Sequence, residues 1–188
     1  IGGIIFGMVL VGIIIAVFAK RKPAVVNRTF GRLSIISSAW LALTHGANDG
    51  QKTMGIIVLI LFSADLISEI HMPLWVIFAA ASAMGLGTFF GGYKVIKTLG
   101  LKITRLKPYQ GFAAQTGGGV MLAIFALLGI PASTTHAITG SVMGAGAARR
   151  IRAVRWRVSR QIIFSWVITI PGAAGLAIAF TYIIHLFV

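Results

Sequence analysis

Thr44-His45-Gly46-Ala47-Asn48-Asp49-Gly50-Gln51-Lys52-Thr53 is a polar stretch enclosed by apolar sequence on both sides. It lies within residues 33–62, a run too long for one straight crossing of a bilayer, where roughly 20 residues suffice. Ionisable groups at membrane depth are costly unless paired, so Asp49 and Lys52 point to function. A second polar stretch, Gly129-Ile130-Pro131-Ala132-Ser133-Thr134-Thr135-His136, divides two further apolar segments. Both stretches carry glycine or proline, residues that interrupt helices and free backbone groups for a ligand. Broken helices with small polar side chains at the break are how membrane carriers build binding sites.

Composition agrees with a bilayer. Hydrophobic residues make up 57% of the 188 and charged residues 11%, a charged share well below that of soluble domains. Mean hydropathy is +0.94. The net charge of +14, from 17 basic and 3 acidic residues, resembles that of a nucleic-acid binder, but the distribution argues against one. Apart from Lys52, the basic residues fall in three clusters between apolar runs. The first is Lys20, Arg21, Lys22, Arg28 and Arg32; the second is Lys94, Lys97, Lys102, Arg105 and Lys107. The third is Arg149, Arg150, Arg152, Arg155, Arg157 and Arg160. Such blocks mark cytoplasmic loops and meet anionic headgroups.

Six apolar segments follow: residues 2–19, 33–62, 73–92, 111–128, 131–148 and 161–188, the last with a bend expected at Pro171-Gly172. If all three basic clusters face the cytoplasm, the number of crossings between consecutive clusters is even. Counting 33–62 as one broken crossing satisfies this; two complete crossings there would not. The expectation is therefore an all-α, polytopic membrane protein with about six spans, discontinuous helices or a re-entrant hairpin, and both ends outside. The acidic turn with Asp65, Glu69 and His71 then lies outside too. No sustained period-two alternation suggests strands. The first apolar run has its positive charges after it, the reverse of a secretory signal. The chain opens on Ile1, and a longer natural protein is expected.

Around Asn48 the expected break leaves the amides of Gly50, Gln51 and Lys52 at a new helix start, a place that attracts anions. Asp49 repels an anion and calls for a cation, completed by unwound carbonyls and the Asn48 side chain. The alternative is that Asp49 pairs with Lys52 one turn on. At the second stretch, Ser133 is a good N-cap, and Ser133, Thr134 and Thr135 offer three hydroxyls beside free amides, chemistry suited to a tetrahedral oxyanion. The alternative is an ordinary serine cap with threonines bonded back to their helix. Gln115-Thr116 adds a further polar pair, and Gly3/Gly7, Gly87/Gly91 and Gly140/Gly144 are spaced for close helix contact. His45 and Asp49 share a helix face, but no third metal ligand is near in sequence. His136 reads as a local capping group, and His71 and His185 as interfacial. Without cysteine there is no thiolate chemistry or disulfide, and no hydrolase elbow or P-loop supports an enzyme.

Residues 44–55 (THGANDGQKTMG), 111–116 (GFAAQT), 130–146 (IPASTTHAITGSVMGAG), Val154-Arg155-Trp156 and Thr169-Ile170-Pro171 resemble, in order, the inorganic phosphate transporter (PiT) family. Specifically, they resemble the C-terminal of that family's two repeats. The resemblance implies cation-coupled phosphate uptake, by Na+ or H+, through alternating access between inverted repeats. It implies Asn48 and Asp49 as cation and phosphate ligands, and Ser133, Thr134 and Thr135 as phosphate ligands. Gln115 stands where the family usually has glutamate; its amide can still ligate a cation. A Na+ at Asp49 is the one metal expected, and no cofactor is. One copy of each motif is present, so the chain reads as a single transmembrane domain, 1–188, half of a two-repeat carrier. Its expected partners are phosphate, membrane lipid, and the missing N-terminal half or a second copy, within a homodimer of the complete carrier in the cell membrane. Two other readings stand beside it: a sulfate or other oxyanion permease on the same scaffold, and a non-transporting membrane subunit.

Overall fold

The computed structural model describes residues 1–185. Six α-helices account for most of it: α1 (Gly2–Phe18), α2 (Pro23–Ser63), α3 (Leu74–Lys97), α4 (Pro108–Leu127), α5 (Thr134–Ala147) and α6 (Trp156–His185). A π-helical segment (Thr98–Ile103) follows α3, and a 3-10 turn (Ile151–Ala153) follows α5. No strand occurs among the described residues, as expected where lipid leaves only intrahelical partners for the backbone. The chain divides into two units, Ile1–Val154 and a second one beginning at Arg155.

In the first unit, α1 lies along α5, α2 along α4, and α4 touches both α1 and α5. Ser34 Oγ donates to the carbonyl of Pro108, Ser37 Oγ to Gln115 Oε1, and Asn48 Nδ2 to the carbonyl of Leu122. Position advances along both chains together, so α2 and α4 run parallel. α1 and α5 are parallel by the same argument, because Gly3 meets Ala137 and Gly7 meets Ser141. The α1/α5 seam depends on glycine. A Cβ on Gly3 would strike the Ala137 carbonyl, one on Gly7 the Ser141 carbonyl, and one on Gly144 the Ile4 carbonyl. Close backbone approach is the packing that small residues give membrane helices. A Cβ on Gly87 or Gly91 would meet nothing within 4 Å, so among the described residues that expected pair marks no close helix contact.

At the basic end, Phe30 (4% exposed) stacks edge-on against Phe18 and tilted against Phe112, each at 5.2 Å. These rings tie the end of α1 to the starts of α2 and α4. Pro23 and Pro108 open those two helices, where a missing N–H is harmless. Gln110 closes the start of α4: its Oε1 accepts from the Lys107 amide at 3.0 Å, and its Nε2 donates to the Ala145 carbonyl at 2.9 Å.

Leu74–Tyr93, Pro108–Leu127 and Trp156–His185 are long and apolar enough to cross a membrane, and Gly2–Phe18 is a shorter apolar helix. With 14 residues, α5 falls short of the roughly 20 a full crossing takes. The second unit holds α6, which remains helical through Pro171. Residues 186–188, the end of the sixth expected span, lie outside the described residues.

α2 corrects one expectation. Its 41 residues form one uninterrupted helix through Asn48 and Asp49, about 60 Å long at ~1.5 Å per residue. The break expected there is absent because the polar side chains find partners along the helix itself, in its own backbone carbonyls and in the His45–Asp49 and Asp49–Lys52 pairs. Thr44 Oγ1 donates to the Trp40 carbonyl at 3.1 Å, Asn48 Nδ2 to the Thr44 carbonyl at 2.9 Å and Thr53 Oγ1 to the Asp49 carbonyl at 3.0 Å. Groups three or four residues apart sit on one face, so pairing needs no unwinding. The amides of Gly50, Gln51 and Lys52 are therefore inside a helix and do not form a helix start.

Gly144→Ala should destabilise the unit by about 1–3 kcal/mol, because the added methyl meets backbone on α1. Gly87→Ala, with open space around it, should leave stability unchanged or slightly raised. Thermal unfolding of both variants in detergent measures the difference, and equal melting would contradict the seam.

Candidate functional site

The break that does form lies between α4 and α5. Gly129 takes a φ of +66°, a conformation open to glycine. Its amide bonds the Ala126 carbonyl at 3.2 Å, and that of Ile130 bonds Phe125 at 2.9 Å. This pairing closes the end of α4 as a Schellman motif. Pro131 cannot continue the helix, and Ser133 starts α5 as its N-cap, its Oγ accepting from the His136 amide at 3.3 Å.

The turn meets the polar face of α2 at Asp49. Thr134 Oγ1 donates to Asp49 Oδ2 at 2.9 Å, and His45 Nε2 lies 3.0 Å from the same oxygen. Lys52 Nζ lies 3.1 Å from Asp49 Oδ1 and also donates to the Ala132 carbonyl. The carboxylate thus faces three donor groups from two chain segments. The Lys52 ammonium sits between a carboxylate and a carbonyl oxygen.

Asn48, 4% exposed, joins the helices themselves. Both of its N–H groups are used, one on Thr44 and one on the Leu122 carbonyl of α4 at 3.1 Å. Reversing the amide would set its oxygen against two carbonyls, so the orientation follows from the partners. Only Oδ1 remains, an acceptor. Asn48, Gln51 and Lys52 line one wall of a cavity of about 240 Å³, with Phe125, Gly129 and Pro131 opposite.

The residues singled out from sequence are thus partly gathered. Asn48, Asp49 and Thr134 meet at the seam of α2 with the α4–α5 turn. Ser133 and Thr135 are exposed on the same turn, Ser133 as the cap. Gln115 is held apart, its amide oxygen accepting from Ser37 Oγ at 2.5 Å. Ser37 precedes Asp49 by twelve residues of continuous helix, or about 18 Å. The pairing of Asp49 with Lys52, weighed earlier as an alternative, is present, and so is the serine cap. Sequence reading missed the carbonyls of Leu122 and Ala132 as partners, since backbone acceptors leave no mark in residue identity. The i,i+4 spacing of His45 and Asp49 was the visible signal for that contact.

A profile of the phosphate transporter family matches residues 4–177. The chain belongs to the phosphate transporter family. A probable low-affinity inorganic phosphate transporter of Rhizobium meliloti is 47% identical over 173 residues, 92% of this chain and 52% of its own. One of Bacillus subtilis is 38% identical over 183 residues, 97% of this chain and 55% of its own. Among solved structures, a sodium-dependent phosphate transporter matches with a TM-score of 0.68 and 32% identity, over 78% of this chain and 37% of its own. The chain spans about half the length of the curated relatives it matches. Membership in this family, with several apolar helices, makes it a multi-pass integral membrane protein. Its relatives are named as transporters and permeases, not enzymes.

Asn48→Leu should loosen the α2/α4 seam, leaving the buried Leu122 carbonyl without its side-chain donor. A lost buried partner costs about 1–3 kcal/mol. The expected result is a lower melting temperature with unchanged helix content; an unaltered melt would mean that the amide bridge contributes nothing to packing.

Proposed function

We propose that this chain forms one half of a carrier that moves inorganic phosphate across the membrane together with a cation. The observation that supports it most directly is the shared ammonium of Lys52. It neutralises Asp49 and borders the 240 Å³ cavity whose wall also carries Asn48 and Gln51. A phosphate entering that cavity competes for Lys52 and draws it from Asp49. The carboxylate, short of one donor, then gains affinity for a cation. Anion and cation favour each other's binding through one side chain, and the coupling is reciprocal.

On this proposal the roles divide as follows. Lys52 and Gln51 meet the anion from α2, and the exposed hydroxyls of Ser133 and Thr135 meet it from the turn. Asp49, the Thr134 hydroxyl, the Ala132 carbonyl and Asn48 Oδ1 supply oxygens for the cation. Gln115, beside Ser37, serves a cation only at a separate level of the same seam. Phosphate is preferred over sulfate because Asn48 Oδ1, which lines the cavity and is shared between cation and anion, is an acceptor; a protonated phosphate can donate to it and sulfate cannot. The sodium-dependent solved relative supports Na+ as the coupling ion. A proton is the second reading, favoured by the His45 and Lys52 contacts of the carboxylate, because both groups can carry protons. The complementary half, or a second copy, completes the site.

Two measurements test this in the complete transporter and in the isolated chain. Lys52→Gln should raise the phosphate concentration for half-maximal uptake by about 10–100-fold, the loss of a hydrogen bond to charge at ~1.5–3 kcal/mol. Asp49→Asn should chiefly abolish dependence on the Na+ or pH gradient. Equal shifts of both parameters in both variants would show that the two roles are not separable. The isolated chain in liposomes should not accumulate phosphate, and should do so when joined to its complementary half. Robust gradient-driven uptake by the chain alone would mean that two copies share a complete site.

A further inference from the structure

The first unit has a second cleft, of about 270 Å³, where α1 and α5 finish and α2 and α4 begin. Its floor is apolar, with Ile14, Phe18 and Val26. Its rim carries Arg21, Lys107 and Arg149, one residue from each of the three basic clusters. These residues are far apart in sequence, and the fold brings them to one opening. No acidic side chain lines it. Of the chain's three acids, Asp49 is engaged with His45 and Lys52, while Asp65 and Glu69 belong to the α2–α3 connection.

Helix dipoles do not decide what this cleft prefers. Two helices present their positive ends there and two their negative ends, so the end charges largely offset. The side chains decide. Three like charges around one opening repel one another, and a bound anion relieves that repulsion. An inorganic anion would use the rim and leave the apolar floor in water. A neutral lipid would cover the floor and leave the charges uncompensated. An amphiphile with a phosphate head and a hydrocarbon tail uses both.

We propose that this cleft binds an anionic glycerophospholipid, its headgroup phosphate held by Arg21, Lys107 and Arg149 and an acyl chain lying on Ile14, Phe18 and Val26. Basic pockets between membrane helices recognise lipid headgroups in this way. The site lies at the opposite end of α4 from the Asp49 seam, so it differs from the cavity proposed for transported phosphate.

Native mass spectrometry of the full chain in neutral detergent, titrated with phosphatidylglycerol or phosphatidylcholine, tests the proposal. The expected result is preferential retention of phosphatidylglycerol, by about fivefold for each basic group that engages. The variant carrying Arg21→Gln, Lys107→Gln and Arg149→Gln should lose that preference. A control with Arg155→Gln, Arg157→Gln and Arg160→Gln, which removes the same charge elsewhere, should keep it. Should the first triple variant lose its helical circular dichroism, Lys107→Gln alone, at an exposed position, should still weaken retention. Equal retention of both lipids, or equal loss in both triple variants, would overturn the assignment. Displacement of phosphatidylglycerol by excess inorganic phosphate would equally overturn it, by identifying a simple anion site.

Discussion

A carboxylate placed among apolar helices has to find donors within reach, and the arrangement around Asp49 answers that requirement. His45 and Lys52 come from its own helix, one turn before and one turn after, and Thr134 comes from the turn that opens α5. Two of these partners hold α2 in a continuous helix; the third fastens the α4–α5 hairpin against it. Local neutralisation and tertiary docking are therefore one structural event.

Glycine plays the complementary part at the other seam. Where α1 meets α5, contact is backbone against backbone, without side chains to interlock. Such a seam resists volume added to it, while the α2 seam resists the loss of hydrogen bonds. The unit is thus held by two chemically different interfaces joined through α4. Buried apolar side chains such as Val11, Phe30 and Leu122 supplement them, while many other large apolar side chains are exposed, such as Phe89 and Leu127. Those belong in lipid, where burial against protein gives little advantage.

Membership in the phosphate transporter family and the half-length match to its relatives give this asymmetry a context. A carrier assembled from two such halves would have two polar seams facing one substrate. On the proposed function, the shared lysine at the seam would couple the two ligands, because it cannot satisfy a bound anion and its own carboxylate equally. The basic ends of α1, α2, α4 and α5 lie away from that seam, at the other end of α4.

Much of this could be read from residues alone. Hydropathy and the three basic clusters located all six helices to within a few residues at most ends, although α2 begins ten residues before its expected start. Ser133 was visible as a cap because the chemistry of an N-cap is local. The polar stretches were visible because lipid makes polar groups conspicuous. The state of the helix at Asn48 was not, since glycine and asparagine permit a break without imposing one. The outcome depended on partners at i−4, i+3 and across the seam. The separation of Gln115 from Asp49, the carbonyls of Leu122 and Ala132, and the convergence of Arg21, Lys107 and Arg149 came from tertiary structure alone. Each depends on which helix faces which, and in what register. One-dimensional pattern carries no such information, because a backbone carbonyl is the same at every residue and distance along the chain is not distance in space.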